Sequence, residues 1–541
     1  MQSKSGLSLD KQRLLEQRLR GIAKKPERPD KILTRSGAGE AVLSHAQQQI
    51  WVIDQMQPGN PAYNLPVAYR IKGPLDVKAL EDSFNGIISR HEILRTTFCV
   101  RDGEPLQVVH PELRLSINTV SAERFPEAER KRRVREMVSR EALKSFDISQ
   151  LPLIRVDLYR LGEEDHVLAL TLHHIVADGW SLGLIWNELN GLYIGYVNGT
   201  APHLETLPIQ YADYAVWERK EALRGSYPEQ LAHWQNQLKG PLPVLELPLD
   251  KSRPAIQSLS TGSNQFVFLH KRLHEELQAI AVQEGCTFFM VILAALQVLL
   301  HRYSGAEDIV IGTPIASRNR IEMERLVGYF INMIALRGDV SGDPTFVELL
   351  RRAKETTLGA FSNQDLAFET IVENLDFKRD LSRNPVFQVM LQVSPGINAQ
   401  LGDLSVSPYH FNSRFAQMDL SLHLYEESDG YWGRFEYDTD LFHDDTIRRL
   451  ARHFQGLLKE IVRDPRQRIS ELSFLSERER TRILVEWNAT SVEYPKGKGL
   501  HNLFERQVEL SAGETAIEYK GRAMTFGELN SRANQLADYL I

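Results

Sequence analysis

His166-Val167-Leu168-Ala169-Leu170-Thr171-Leu172-His173-His174-Ile175-Val176-Ala177-Asp178-Gly179-Trp180-Ser181 begins with the two-residue alternation of a strand and ends in a turn. The alternation sets Val167, Ala169, Thr171 and His173 on one side, and Leu168, Leu170, Leu172 and His174 on the other. Adjacent histidines therefore face opposite ways, so they do not share a metal ion and at most one faces a given substrate. Asp178 and Gly179 mark the turn, and a helix is expected from near Trp180 with Leu182, Ile185, Trp186, Leu189 and Tyr193 on one face. A backbone amide at such a turn can sit beside developing negative charge. Neutral imidazole accepts a proton near neutral pH, which suits attack by an amine or hydroxyl on an activated acyl group. An aspartate paired with an arginine would fix the loop. Two core histidines satisfied by hydrogen bonds read equally well on this spacing alone.

The rest of the chain sets bounds. Its 541 residues predict about three or four folding units. A formal charge of -7 without a long basic stripe argues against nucleic-acid binding. Cys99 and Cys286 supply neither a disulfide framework nor a thiolate metal cluster, so a cytoplasmic location is expected. The apolar run Phe288 to Leu300 is broken by Gln297 and is shorter than the ~18 residues of a membrane span, which predicts a buried core helix.

Residues 1–40 read as a leader helix carrying Leu14, Leu15, Leu19 and Ile22, then a charged linker, and are a possible docking element. From 41 to 480 helical and strand-like segments mix, and two lobes are expected, at 41–215 and 216–480. Residues 481–496 read as a linker. Residues 497–541 read as a helix, a strand pair around Lys520-Gly521 and a second helix, the first elements of a further domain.

His173 to Ser181 resembles the HHxxxDG signature of the condensation domains of nonribosomal peptide synthetases, a superfamily shared with chloramphenicol acetyltransferase. Six further stretches follow in that family's order: Ser44 to Trp51, Arg90 to Phe98, Tyr211 to Trp217, Ile311 to Pro314 with Ser317 to Arg320 and Gly328 to Asn332, Asn363 to Glu369, and Arg383 to Gln388. Departures occur at Asn363, where the family has His, and at Ser317 and Met333. The resemblance implies an α/β fold of two acetyltransferase-like lobes in a V-shaped pseudo-dimer. It implies peptide-bond formation between a donor acyl thioester and an acceptor aminoacyl thioester. Both would hang on phosphopantetheine arms of partner carrier domains, with no cofactor or metal bound by this chain.

Carried over residue by residue, His174 positions or deprotonates the acceptor amine and Gly179 lends its amide to the oxyanion, while the strand register assigns His173 to the scaffold. Asp178 forms an ion pair for which Arg95, Arg318 and Arg320 are the candidates. Trp180, Ser181 and Asn332 line the channel or support the motif. Met524 to Asn530 resembles the first motif of adenylation domains, so 497–541 implies a truncated one with no ATP-dependent activation. The style of Ala62 to Pro66 leans toward an L donor and an L acceptor.

Three rivals stand beside this reading. Gly179-Trp180-Ser181-Leu182-Gly183 fits the GxSxG elbow of serine hydrolases, although Ala177-Asp178 separates it from the strand. Epimerisation domains share HHxxxDG but do not run into an adenylation domain. A degenerate docking scaffold is the non-enzymatic alternative.

Overall fold

The computed structural model describes residues 31–541 apart from 36, 38, 201–203, 224–226, 258–260, 376–379, 413–414, 494–496 and 498. The expected leader helix lies outside the described residues. The described chain divides into two compact units, one running through Phe474 and the other Leu475–Ile541.

The first unit holds two large sheets. One has five strands in the order Ser405–Pro408, Asn64–Lys72, Asp165–His173, Ile154–Gly162, Asn118–Ser121. Its central strand is apolar along nearly its whole length because both faces are covered. Leu168, Leu170 and Leu172 pack with Leu182, Ile185, Trp186 and Leu189 of the Gly179–Val197 helix. Val167 and Ala169 pack with Val134 and Val138 of the Glu127–Ala142 helix. The other sheet has six strands in the order Ile331–Asp339, Asp308–Ala316, Val389–Ser394, Leu420–Glu427, Gly430–Asp438, Gly262–His270. Its core is built on the helix Phe288–Ser304, where every residue from Phe288 to Leu300 is buried, Gln297 included. Thr287 caps the start of that helix, and Gly305, at φ 73°, ends it in the left-handed conformation glycine tolerates.

The two cores interleave in sequence. Met323, Leu326, Val327, Tyr329, Phe330 and Leu401 belong to the core of the five-stranded sheet, together with Tyr211 and Tyr214. The edge strand Ser405–Pro408 pairs with Asn64–Lys72. Chain from the second half thus completes the first sheet.

In the second unit, the helix Leu500–Ser511, the strand pair Thr515–Tyr519 and Arg522–Thr525, and the helix Phe526–Leu540 follow in the expected order. No single helix among the described residues is long and apolar enough to cross a membrane.

Candidate active site

The central strand stops at His173, and His174–Val176 forms one turn of 3-10 helix. This corrects the strand alternation extended above to His174: the turn, not strand register, directs that ring. The reason is local. His173 Nδ1 accepts the Ile175 amide at 3.3 Å, which curls the chain immediately after the strand. The helix then begins at Gly179, in line with the expected start near Trp180. Asp178 is its cap, accepting the Ser181 amide at 2.8 Å.

His173 is 3% exposed and packs edge-on against Phe146, with ring centroids 6.0 Å apart. Burial, aided by His174 and Arg155, pushes its pKa down to about 3. It is a neutral core residue. His174 is different. Its Nδ1 lies 2.9 Å from the Ala177 carbonyl oxygen, which can only accept. The proton therefore sits on Nδ1, and Nε2 carries the lone pair of a base. Burial lowers the pKa of this ring too, partly offset by the Ala177 carbonyl and the Asp178 charge. Tyr329 packs edge-on against it, centroids 5.5 Å apart.

Gly179 is exposed at the helix start, and a methyl group added to it would meet no atom within 4 Å. Its amide belongs to the first turn, which has no intrahelical acceptor. An imidazole lone pair and an open helix N-terminus thus bracket one short turn. Such a pair can take a proton from a nucleophile and stabilise an oxyanion.

Asp178 holds this turn in place. It is 1% exposed and meets Arg318 through two contacts, Nη1 to Oδ2 at 2.7 Å and Nη2 to Oδ1 at 3.1 Å. Burial alone would raise its carboxyl. Arg318 and the amide and hydroxyl of Ser181 outweigh that and hold it below the ordinary carboxylate value. Asp178 Oδ2 also accepts the Phe330 amide at 3.1 Å. Of the three candidate arginines only Arg318 reaches the aspartate. Arg95 donates to the His110 carbonyl, and Arg320 pairs with Glu322 at 3.2 Å and lies 5.2 Å over the Trp217 ring.

Ser181 is fully buried. Its hydroxyl lies 2.7 Å from Asp178 and 2.9 Å from the Gly328 carbonyl, and it accepts from the Gly328 amide and Arg318. Its partners among the described residues include no imidazole, so the GxSxG elbow reading is not supported. Trp180 donates to the Glu324 carbonyl at 3.0 Å and supports the segment before Gly328. Asn332 donates to the carbonyls of Gln364 at 3.1 Å and Leu366 at 2.8 Å and accepts the Phe368 amide, tying down that loop. No group of three or more His, Cys, Asp or Glu among the described residues is placed to hold a metal ion.

Several supporting residues carried no role in the sequence reading. Gln47 donates to the Ile175 carbonyl at 3.3 Å, bracing the 3-10 turn from the helix His45–Met56. Tyr211 gives its single proton to the Tyr329 carbonyl at 2.5 Å, so Ser44, 2.9 Å away, donates to it. Gly328 lies flat on the Tyr211 ring, where an added Cβ would come within 1.9 Å. Each lies in a stretch quoted above. The signal was present, but the pairing partners were more than a hundred residues away.

A sequence model described as Condensation domain matches residues 38–484. A linear gramicidin synthase of Brevibacillus parabrevis is 43% identical over 505 residues, covering 92% of this chain and 10% of that protein. Surfactin synthase subunit 1 of Bacillus subtilis (strain 168) is 38% identical over 498 residues, covering 92% and 13%. The chain therefore spans about a tenth of the length of these curated relatives. The crystal structure of the X-domain from teicoplanin biosynthesis is similar at TM-score 0.70 and 31% identity, over 84% of this chain and 99% of that one. A four-domain nonribosomal peptide synthetase shares the fold at TM-score 0.78 and 24% identity, over 94% and 39%. With the histidine turn, its buried ion pair and a match running through both large sheets, the chain belongs to the condensation-domain family of nonribosomal peptide synthetases.

Proposed function

We propose that this chain joins a donor acyl or peptidyl thioester to the amine of an acceptor aminoacyl thioester. The observation that carries this reading is the fixed tautomer of His174, which leaves the lone pair on Nε2, in the turn that leads into the exposed helix start at Gly179. The amine nitrogen attacks the thioester carbonyl, a C–N bond forms and the C–S bond breaks. His174 Nε2 accepts or orients the amine proton, which passes to the departing thiolate. The Gly179 amide faces the oxyanion. His173, Asp178 and Arg318 hold the turn, and Trp180, Ser181 and Asn332 hold the segments around it.

Both substrates arrive on phosphopantetheine arms of carrier domains, upstream for the donor and downstream for the acceptor. The setting is a cytoplasmic multidomain synthetase making a secondary metabolite, with an L donor and an L acceptor favoured. Residues 41–215 and 216–480 are read as the two lobes and 497–541 as the start of an adenylation domain. The separate compact unit Leu475–Ile541 supports that last assignment.

The test is product formation from defined donor and acceptor carrier thioesters, read by mass spectrometry. Wild-type protein should yield the dipeptidyl thioester, and His174→Ala should lower its rate by about 10²–10⁴-fold with the fold intact. Unchanged turnover would remove His174 from the mechanism. Inversion of the donor α-carbon without amide formation would convert the reading to an epimerisation domain.

A further inference from the structure

Tyr329 packs edge-on against His174, with ring centroids 5.5 Å apart and planes at 68°. Packing alone does not call for a tyrosine there. Phenylalanine would fill the same place, and a phenol oxygen under cover costs free energy unless something bonds to it. Tyr329 is 8% exposed, and its hydroxyl makes no hydrogen bond with any described residue. Nor is the oxygen sealed. Among the described residues, the unpaired polar atoms closed to solvent include neither the Tyr329 hydroxyl nor His174 Nε2. Two rings in contact thus each present one open polar atom.

The hydroxyl is a donor. Burial, and then Tyr63, Glu369 and Asp178, raise its pKa far above the ordinary phenol value, so the proton stays on at neutral pH.

The backbone on either side of this residue is fixed. The Gly328 amide donates to Ser181 Oγ at 3.0 Å, and the Phe330 amide donates to Asp178 Oδ2 at 3.1 Å. Between them, the Tyr329 carbonyl accepts from the Tyr211 hydroxyl at 2.5 Å. Asp178 and Ser181 are the cap and first turn of the Gly179–Val197 helix. Tyr329 is therefore tied to the turn that carries His174. The Asp178–Arg318 pair holds the imidazole and the phenol in one frame. A donor fixed before the substrate arrives needs no further ordering.

The substrate supplies the matching acceptor. At its reacting end an aminoacyl thioester has two polar groups, the amine and its own carbonyl, on adjacent carbons. In the condensation reading above, on which this inference rests, His174 takes the amine and Gly179 takes the carbonyl of the donor. The carbonyl of the acceptor is left without a partner. We propose that the Tyr329 hydroxyl donates a hydrogen bond to the carbonyl oxygen of the acceptor aminoacyl thioester. Anchors on both adjacent carbons stop the acceptor head from rotating and aim the nitrogen lone pair at the donor thioester. Tyr329 itself makes and breaks no covalent bond.

The test compares two acceptors on the same carrier domain, the aminoacyl thioester and the thioether in which CH2 replaces its carbonyl. Both keep the amine, and both give an amide with the same donor. Initial rates are read by mass spectrometry for the whole wild-type chain and for Tyr329→Phe, which keeps the ring on His174. The preference for thioester over thioether should fall about tenfold in the variant, the size of one hydrogen bond. A merely structural role would slow both acceptors alike and leave the preference unchanged, and that result overturns the proposal. So does a preference lost in Tyr63→Phe but kept in Tyr329→Phe, because the bond would then come from the neighbouring phenol. No amide from either acceptor with the wild-type chain would sink the condensation reading, and this assignment with it.

Discussion

A histidine acts as a base through one nitrogen only when the other is held protonated, so the acceptor at Nδ1 decides what Nε2 can do. At His174 that acceptor is the Ala177 carbonyl, three residues on. The two histidines differ because their surroundings differ, whereas the alternation in the sequence only set them on opposite faces. It marked His174 as the reacting member through resemblance, for the ring direction follows from a three-residue turn that has no periodicity to read. His173 carries a consequence for stability. Folded, it stays neutral down to about pH 3, whereas an unfolded histidine titrates near 6.5. Between those values the unfolded chain binds the extra proton, so the contribution is complete above about pH 6.5 and drains away as pH falls toward about 3. Urea midpoints measured from pH 7.5 to 4 should fall steeply for wild type and less steeply for His173→Phe. Parallel slopes would show that His173 does not drive the acid sensitivity.

At the scale of elements, the Gly179–Val197 helix was legible because Leu182, Ile185, Trp186, Leu189 and Tyr193 recur on one face, and all five are buried. The helix Phe288–Ser304 was legible for a different reason, an apolar run interrupted only by Gln297 and too short to span a membrane. What joins elements was not legible. Asp178 and Arg318 are 140 residues apart, and Arg95 and Arg320 offered the same charge to a reader of the sequence. The pair clamps the start of one helix to the segment Leu326 to Phe330, since Arg318 also donates to the Leu326 carbonyl and Asp178 accepts the Phe330 amide. Removing one charge strands the other in the interior, which costs about 3–5 kcal/mol. Asp178→Ala and Arg318→Ala should each lose about that much in chemical denaturation. The double variant should lose clearly less than the sum, because no lone buried charge remains. Additive losses would mean that the two residues stabilise the fold independently.

At the scale of the molecule, the two-lobe division expected at 215/216 falls inside the helix Tyr211–Leu223, and the cores exchange segments across it. Ser405–Pro408 forms the edge of the five-stranded sheet, and Met323, Leu326, Val327, Tyr329, Phe330 and Leu401 fill its core. Hydrophobic periodicity cannot foresee such an exchange, since it reports which face of an element is apolar and not what covers it. A fragment ending at residue 215 would expose the Asn64–Lys72 edge, lose the apolar cover supplied by those six residues and leave Asp178 without Arg318. A free edge and an unpaired buried carboxylate both disfavour independent folding. Residues 31–215 expressed alone should therefore be insoluble or lack a cooperative unfolding transition. Co-expression with residues 216–541 should recover a soluble complex, because the second fragment carries every missing piece. A sharp two-state transition in the isolated first fragment would show instead that the exchanged segments decorate a sheet stable without them.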